Sequence, residues 1–74
     1  MTVSAQSIGR TVREVRHSLG VTQRQLAMTA GTGLRFVIEL EQGKPTCQLE
    51  RVLAVLHALG VDVVLNPPPV GEGA

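Results

Sequence analysis

Residues 31–44, which read GTGLRFVIELEQGK, contain charged side chains that could act on another molecule. Arg35 and Glu39 lie four residues apart, which makes them neighbours on one face of an α-helix. A guanidinium group can donate two parallel hydrogen bonds, and a carboxylate only accepts them. The pair could therefore recognise a polar surface, although pairs at this spacing are more often solvated ion pairs.

Side chains suited to catalysis or to metal binding are sparse. Cys47 is the only cysteine, and the histidines His17 and His57 stand far apart without ligand-like neighbours. No Ser/His/Asp set and no phosphate-binding glycine loop is present. We therefore interpret Cys47 and His57 as packing or surface residues. We expect no catalytic residues, no metal and no other cofactor, and an enzyme is the least favoured class.

The length and composition restrict the class of protein further. A chain of 74 residues forms one small domain of marginal stability, and without a disulfide its expected supplement is oligomerisation. No apolar run could span a bilayer and no signal peptide precedes the domain, so the sequence predicts a cytoplasmic protein without a membrane partner. The net charge of +1 neither requires nor excludes a nucleic-acid partner.

Hydrophobic spacing predicts two helices in the first half of the chain. Helix 1 covers roughly residues 6–18 and ends at Gly20 in a left-handed cap. Its apolar positions are Ile8, Val12, Val15 and Leu19. Helix 2 begins after Thr22, whose hydroxyl and the side chain of Gln25 match a capping box. It turns Leu26, Ala27 and Ala30 inward and ends before Gly31.

Two more helices and a short strand are predicted in the second half. Helix 3 covers roughly 33–42, with Val37 and Leu40 inward, and helix 4 runs from a Thr46 cap to Gly60. The apolar stripe of helix 4 is Leu49, Val52, Leu53, Leu56 and Leu59. The β-branched segment VDVVL at 61–65 is typical of a strand, and the only partner that the chain offers is the same strand of a second copy. The prediction is thus a domain over 1–60, a dimerisation strand over 61–65 and a disordered tail over 66–74.

Helices 2 and 3, joined by a tight glycine-containing turn, match a helix-turn-helix motif. In that geometry helix 3 enters the DNA major groove, where Arg35 could contact guanine and Glu39 could accept a hydrogen bond from cytosine. Leu34 or Phe36 could lie against thymine methyl groups. The alternative for Phe36 is a satellite core position under helix 2.

The stretches VTQRQLAMTAGTG and IELEQGK resemble the signatures of phage-repressor-type (Cro/C1, XRE-like) helix-turn-helix domains. More narrowly, LRFVIELEQGKPTCQLERVLAVLHALGVDVVL is similar to the HipB-type antitoxins. The resemblance implies an all-α fold of four to five short helices, like that of the lambda repressor. It also implies one short C-terminal β-strand that pairs across a homodimer, through Val61, Val63, Val64 and Leu65.

The resemblance also implies roles for single residues. Glu41 matches one half of an ion pair with Arg16 that bridges helices 1 and 3. Independently, Glu41 adjoins the Val37/Leu40 face, so it should be partly buried and need a cation. Phosphate contacts are implied for Gln23, Lys44 and the amide of Gly43. The complete predicted DNA-contacting set is Gln23, Arg24, Leu34, Arg35, Phe36, Ile38, Glu39, Gly43 and Lys44.

By resemblance, the function is that of a sequence-specific repressor that binds double-stranded DNA at a palindromic operator. It would act as the antitoxin of a HipA-like Ser/Thr kinase and repress its own operon, associated with the nucleoid when bound to DNA. Two alternatives stay open. One is a stand-alone regulator without a toxin, and the other is a protein-interaction module that has lost DNA binding.

Overall fold

The computed structural model describes residues 3–69, which contain four α-helices. These are α1 (Ala5–Ser18), α2 (Gln23–Ala30), α3 (Leu34–Glu41) and α4 (Leu49–Ala58). α3 packs against both α1 and α2, and α4 packs against α2. The predicted all-α helix-turn-helix fold is confirmed. Within residues 3–69, no helix has the length and apolar character needed to cross a membrane.

Local side-chain bonds fix where the first two helices begin. Thr22 Oγ1 accepts from the backbone N–H of Gln25 at 3.0 Å, and Gln25 Oε1 accepts from that of Thr22 at 2.9 Å, so the predicted capping box is confirmed. Ser4 and Ser7 form the same reciprocal arrangement ahead of α1. This cap, absent from the sequence-based prediction, starts α1 one residue earlier than expected.

The start of α4 differs from the prediction. Thr46 lies in a turn after Pro45, and the N-cap residue is Gln48, whose side chain makes no capping hydrogen bond. α4 therefore begins at Leu49, two residues later than a Thr46 cap requires. Proline disfavours helical geometry in the residue before it, so Lys44 stays outside a helix, and Pro45 and Thr46 form a turn ahead of α4.

The core is formed by one apolar row from each helix. Its buried members are Val12, Leu26, Ala27, Val37, Leu40, Val52, Val55, Leu56 and Leu59. Three residues predicted on these rows lie outside it: Leu19, Leu49 and Leu53 are 57%, 68% and 42% exposed. Leu19 is the C-cap residue of α1, and α4 presents only the Val52/Val55/Leu56/Leu59 side to the other helices. The apolar surface of α4 is thus wider than the side that packs on the core, and Leu49 and Leu53 stay exposed to solvent.

Gly9 lets α1 cross α3 at close range. A Cβ atom at this position would overlap the carbonyl oxygen of Leu40 and approach that of Glu41 to 3.1 Å. Both atoms belong to the backbone of α3, so a larger residue cannot be accommodated by rotating a side chain. The absence of a side chain at Gly9 therefore sets the distance between α1 and the helix predicted to contact DNA.

We expect Gly9→Ala to destabilise the fold although alanine is the better helix former. The helical preference for alanine is worth about 1 kcal/mol. Overpacking costs about 1–3 kcal/mol, and contact with rigid backbone favours the upper end. A net loss of about 1–2 kcal/mol should appear in urea unfolding followed by circular dichroism. Gly33→Ala, where a Cβ meets no atom within 4 Å, is the control without a steric clash, and it loses only the preference of the α3 N-cap for glycine. A Gly9→Ala variant as stable as the wild type, or more stable, would contradict the close crossing.

The segment after α4 begins as a helix cap and then leaves the core. Gly60 adopts a left-handed φ of 74°, and the backbone N–H of Val61 donates to the carbonyl of Leu56 at 2.9 Å. The Val61 side chain packs against the core, whereas Val63, Val64 and Leu65 are exposed. Residues 61–69 form neither helix nor strand within this single chain, so the dimerisation strand stays a prediction. Of the predicted tail, residues 70–74 lie outside the described residues.

Candidate nucleic-acid interface

The outer face of α3 combines charged, polar and apolar side chains. Leu34, Arg35, Ile38 and Glu39 line one concave surface of about 380 Å³ together with Gln42. The opposite side of the helix buries Val37 and Leu40 in the core. Because helical residues advance about 100° each, burial of these two positions directs Arg35, Ile38 and Glu39 away from the protein.

Phe36 does not share this outer face. It is half-buried and packs against the core, four residues before Leu40 and hence on the same side of α3. The structure places it as the satellite-core alternative expects, so we leave it out of the proposed contact surface.

A hydrogen-bonded network holds α3 against α1 and the start of α2. Arg16 Nε donates to Glu41 Oε2 at 2.6 Å, and a second guanidinium nitrogen donates to Oε1 at 3.1 Å. The third nitrogen, Nη1, donates to the carbonyl of Val21 at 2.8 Å. The side chains of Arg16 and Glu41 are only 11% and 5% exposed. This bidentate pair brings together the two residues that the sequence analysis coupled.

Gln23 belongs to the same network. Its Nε2 donates to Glu41 Oε1 at 3.1 Å, which ties the first residue of α2 to the last residue of α3. The opposite amide orientation would place an oxygen against the carboxylate, so the chemistry fixes which atom faces Glu41. An amide nitrogen carries two hydrogens, and one is left to donate elsewhere. Arg24, the next residue, is exposed on the first turn of α2.

The turn after α3 corrects one expectation. The backbone N–H of Gly43 donates to the carbonyl of Leu40 at 3.0 Å, and that of Lys44 donates to the carbonyl of Glu39 at 3.1 Å. These two bonds form a Schellman cap, with Gly43 at a left-handed φ of 82°. The amide of Gly43 is therefore engaged in ending the helix and is not free for a phosphate, contrary to the implied role.

Gly43 instead permits a close approach to α1. A Cβ atom here would lie 3.1 Å from the Cα of Gln6. Lys44 remains on the surface, where its Nζ lies 3.3 Å from Glu39 Oε1, with the two side chains 46% and 31% exposed. Such an exposed pair is weak and can exchange partners readily.

Gln42 is a candidate contact residue that the sequence analysis missed. It is exposed, and it follows Ile38 by four residues and Arg35 by seven, so it continues the outer face by one turn. The spacing was available in the sequence, since Gln42 is the last residue of the predicted helix 3, and the structure makes it the C-cap residue of α3. Within residues 3–69 no cluster of three or more His, Cys, Asp or Glu side chains could hold a metal ion.

Comparisons with known proteins agree with this geometry. A family model described as a helix-turn-helix domain matches residues 7–66. An uncharacterised HTH-type transcriptional regulator, y4mF of Sinorhizobium fredii, is 48% identical over 61 residues, which are 82% of this chain and 80% of that protein. The family and this relative are those of DNA-binding transcription regulators rather than of enzymes.

The solved structures that share the fold include the following two. A chain of the HipA-HipB-O2-O3 complex superposes with a TM-score of 0.82 at 20% identity, covering 93% of this chain and 97% of that chain. The clp gene regulator ClgR from C. glutamicum superposes with a TM-score of 0.70 at 31% identity, covering 84% of this chain and 80% of that chain. The fold-level likeness to HipB agrees with the resemblance seen in the sequence. Fold, family match and relative together place the chain in the helix-turn-helix domain family of transcriptional regulators.

Proposed function

We propose that this protein is a sequence-specific DNA-binding repressor that inserts α3 into the major groove of a palindromic operator. The observation that carries the proposal is the outer face of α3, where Arg35, Ile38 and Glu39 line one concave surface. A helix with its side chains is about 10–12 Å across, and the major groove is about 12 Å wide. The second helix of a helix-turn-helix motif occupies that groove, so the apolar and charged groups on this face meet base edges.

The contacts divide into those that read bases and those that hold the backbone. Arg35 donates to guanine O6 and N7, Glu39 accepts from cytosine N4, and Leu34 and Ile38 face thymine methyl groups. Lys44 and Arg24 bind phosphates as exposed cations. Gln23 donates its second amide hydrogen to a phosphate while the first stays on Glu41. A protein with this division shows both base preference and salt-dependent affinity.

Arg35→Ala should weaken operator binding and relax the preference at one base pair per half-site. A bidentate arginine–guanine contact supplies about 1–3 kcal/mol of discrimination. The measurement is fluorescence anisotropy on duplexes that the wild-type protein selects from a random pool, and on scrambled duplexes. Lys44→Ala, the matched control, should weaken binding to both duplexes by the same factor. It should also make the negative slope of log K against log salt shallower by about 0.9. If Arg35→Ala kept its affinity and preference, α3 would not be the reading helix.

The repressor acts as a homodimer. Val63, Val64 and Leu65 pair antiparallel with the same residues of a second chain, and the exposed Leu49 and Leu53 of α4 help to cover the two-stranded ribbon. Between residues 49 and 69, these side chains are the large apolar groups that the single chain leaves exposed. A twofold axis would place two copies of α3 about one DNA turn, or ~34 Å, apart, which is why the operator is palindromic.

The finer proposal is that this regulator is the antitoxin of a HipA-like Ser/Thr kinase, acts in the cytoplasm and represses its own operon. Its support is the fold shared with a chain of the HipA-HipB-O2-O3 complex. The test is co-expression with the product of the adjacent reading frame, followed by size-exclusion chromatography and a kinase assay. A stable complex with suppressed kinase activity is expected.

Two other outcomes would replace the antitoxin role. Operator binding without a complex, beside a reading frame that encodes no kinase, would make the protein a stand-alone regulator. A complex without salt-dependent DNA binding would make it a protein-interaction module that has lost its DNA target.

A further inference from the structure

A second polar groove lies between α1 and α3, beside the outer face of α3. It encloses about 340 Å³ and is lined by Arg13, Arg16, Gln23, Ile38, Glu41 and Gln42. An adjoining groove of about 390 Å³ is bordered by Arg10 and Gln6, and shares Arg13, Glu41 and Gln42 with the first. Arg13 and Gln42 therefore stand at the boundary of both, one on α1 and one at the end of α3.

The charge of this region is positive because its one carboxylate is already engaged. Glu41 accepts hydrogen bonds from Arg16 and Gln23, and it is almost fully buried. Arg13 is exposed and has no ion-pair or hydrogen-bond partner among residues 3–69. Its guanidinium charge thus faces the groove uncompensated, next to the exposed amide of Gln42. Guanidinium and amide N–H groups at a concave surface suit an anion such as a phosphodiester.

The position of the groove relative to α3 indicates where that anion would come from. Ile38 and Gln42 line this groove and also the outer surface that contains Arg35. Ile38 and Gln42 therefore form the border between this groove and the outer face of α3. DNA whose base edges meet the outer face of α3 has sugar-phosphate backbone along both sides of the helix, because the helix nearly fills the major groove. One strand would pass beside Arg13.

We propose that Arg13, with Gln42 as a second donor, binds a backbone phosphate of the operator, so that α1 contributes directly to DNA binding. This proposal rests on the proposed function. The phosphate contact carries no base preference, and it fixes how far α3 is rotated within the groove. The sequence assigned no role to Arg13, because only the crossing of α1 and α3 brings it beside Gln42.

The test compares Arg13→Ala with Arg51→Ala, which removes the same charge from an exposed position on α4 that lines neither groove. Binding to the selected operator is measured by fluorescence anisotropy across a salt series. Loss of one phosphate contact should make the negative slope of log K against log salt shallower by about 0.9, so that the loss of affinity is about eightfold larger at 0.1 M salt than at 1 M. Arg51→Ala should keep the wild-type slope.

Methylphosphonate substitution then locates the contact. In the wild-type complex, neutralising one particular phosphate per half-site should weaken binding by a similar factor. In the Arg13→Ala complex, neutralising that phosphate should no longer change the binding affinity. Neutralising any of the other phosphates that matter for the wild type should still weaken binding. If Arg13→Ala matched Arg51→Ala in slope and left every phosphate as sensitive as before, the α1 contact would be refuted and the repressor proposal would stand. If the wild-type protein showed no salt-dependent binding to any duplex, the proposed function itself would fail.

Discussion

Replacing Arg16 with Met or Glu41 with Leu should lower the free energy of unfolding by about 3–5 kcal/mol, because each change strands the partner as a buried charge. The Arg16 and Glu41 side chains are only 11% and 5% exposed, and two hydrogen bonds join them. Loss of Glu41 also removes the acceptor of Gln23. Small domains have only about 5–15 kcal/mol of stability, so either variant should be largely unfolded well below the wild-type melting temperature.

The double variant isolates the pairwise energy. Arg16→Met with Glu41→Leu removes both charges and should recover part of the stability that each single variant loses, since no unpaired charge remains. Thermal and urea unfolding of the wild type, the two single variants and the double variant give the four stabilities of the double-mutant cycle. The matched control is Glu39→Leu, the same replacement on the same helix but in the exposed Lys44 pair, with an expected loss below about 1 kcal/mol. Additive losses for Arg16 and Glu41 would argue against a coupled pair.

Truncation after Asp62 should leave the helices folded but greatly weaken both dimerisation and operator binding. The cut keeps Val61, whose backbone caps α4 and whose side chain packs on the core, and it removes the exposed Val63, Val64 and Leu65. Fully burying a side chain of this size is worth about 1.5–3 kcal/mol, and a dimer ribbon packed on α4 would bury the side chains on one of its two faces from each chain. Linking two half-site contacts raises affinity by about 10²–10⁴, which the monomer would lose.

The control for this truncation ends the chain after Asn66. It removes only the proline-rich tail and keeps the proposed strand, so it should dimerise like the full chain. Analytical ultracentrifugation gives the dimer dissociation constant of each protein, circular dichroism checks the helices, and anisotropy gives the operator affinity. If the Asp62 truncation dimerised and bound DNA as well as the Asn66 truncation, residues 63–65 would not form the dimer contact.

The order of the elements could be read from the sequence because the signals are local. Hydrophobic residues at helical spacing located all four helices, and Thr22 with Gln25 marked the start of α2 because a capping box spans only four residues. Gly20, Gly31, Gly43 and Gly60 adopt left-handed backbone at the helix ends. The burial of Val37 and Leu40 then fixed which side of α3 faces outward. These features depend on neighbours within a turn or two of the chain.

The features that shape the candidate interface were decided by contacts between distant segments. Only the tertiary structure shows that Gly9 lets α1 touch the backbone of α3, that Gln23 shares the carboxylate of Glu41, and that Arg13 faces Gln42 across a groove. Periodicity defines the faces of one helix, but the crossing of two helices depends on which atoms meet. Residue spacing within a single helix does not contain that information.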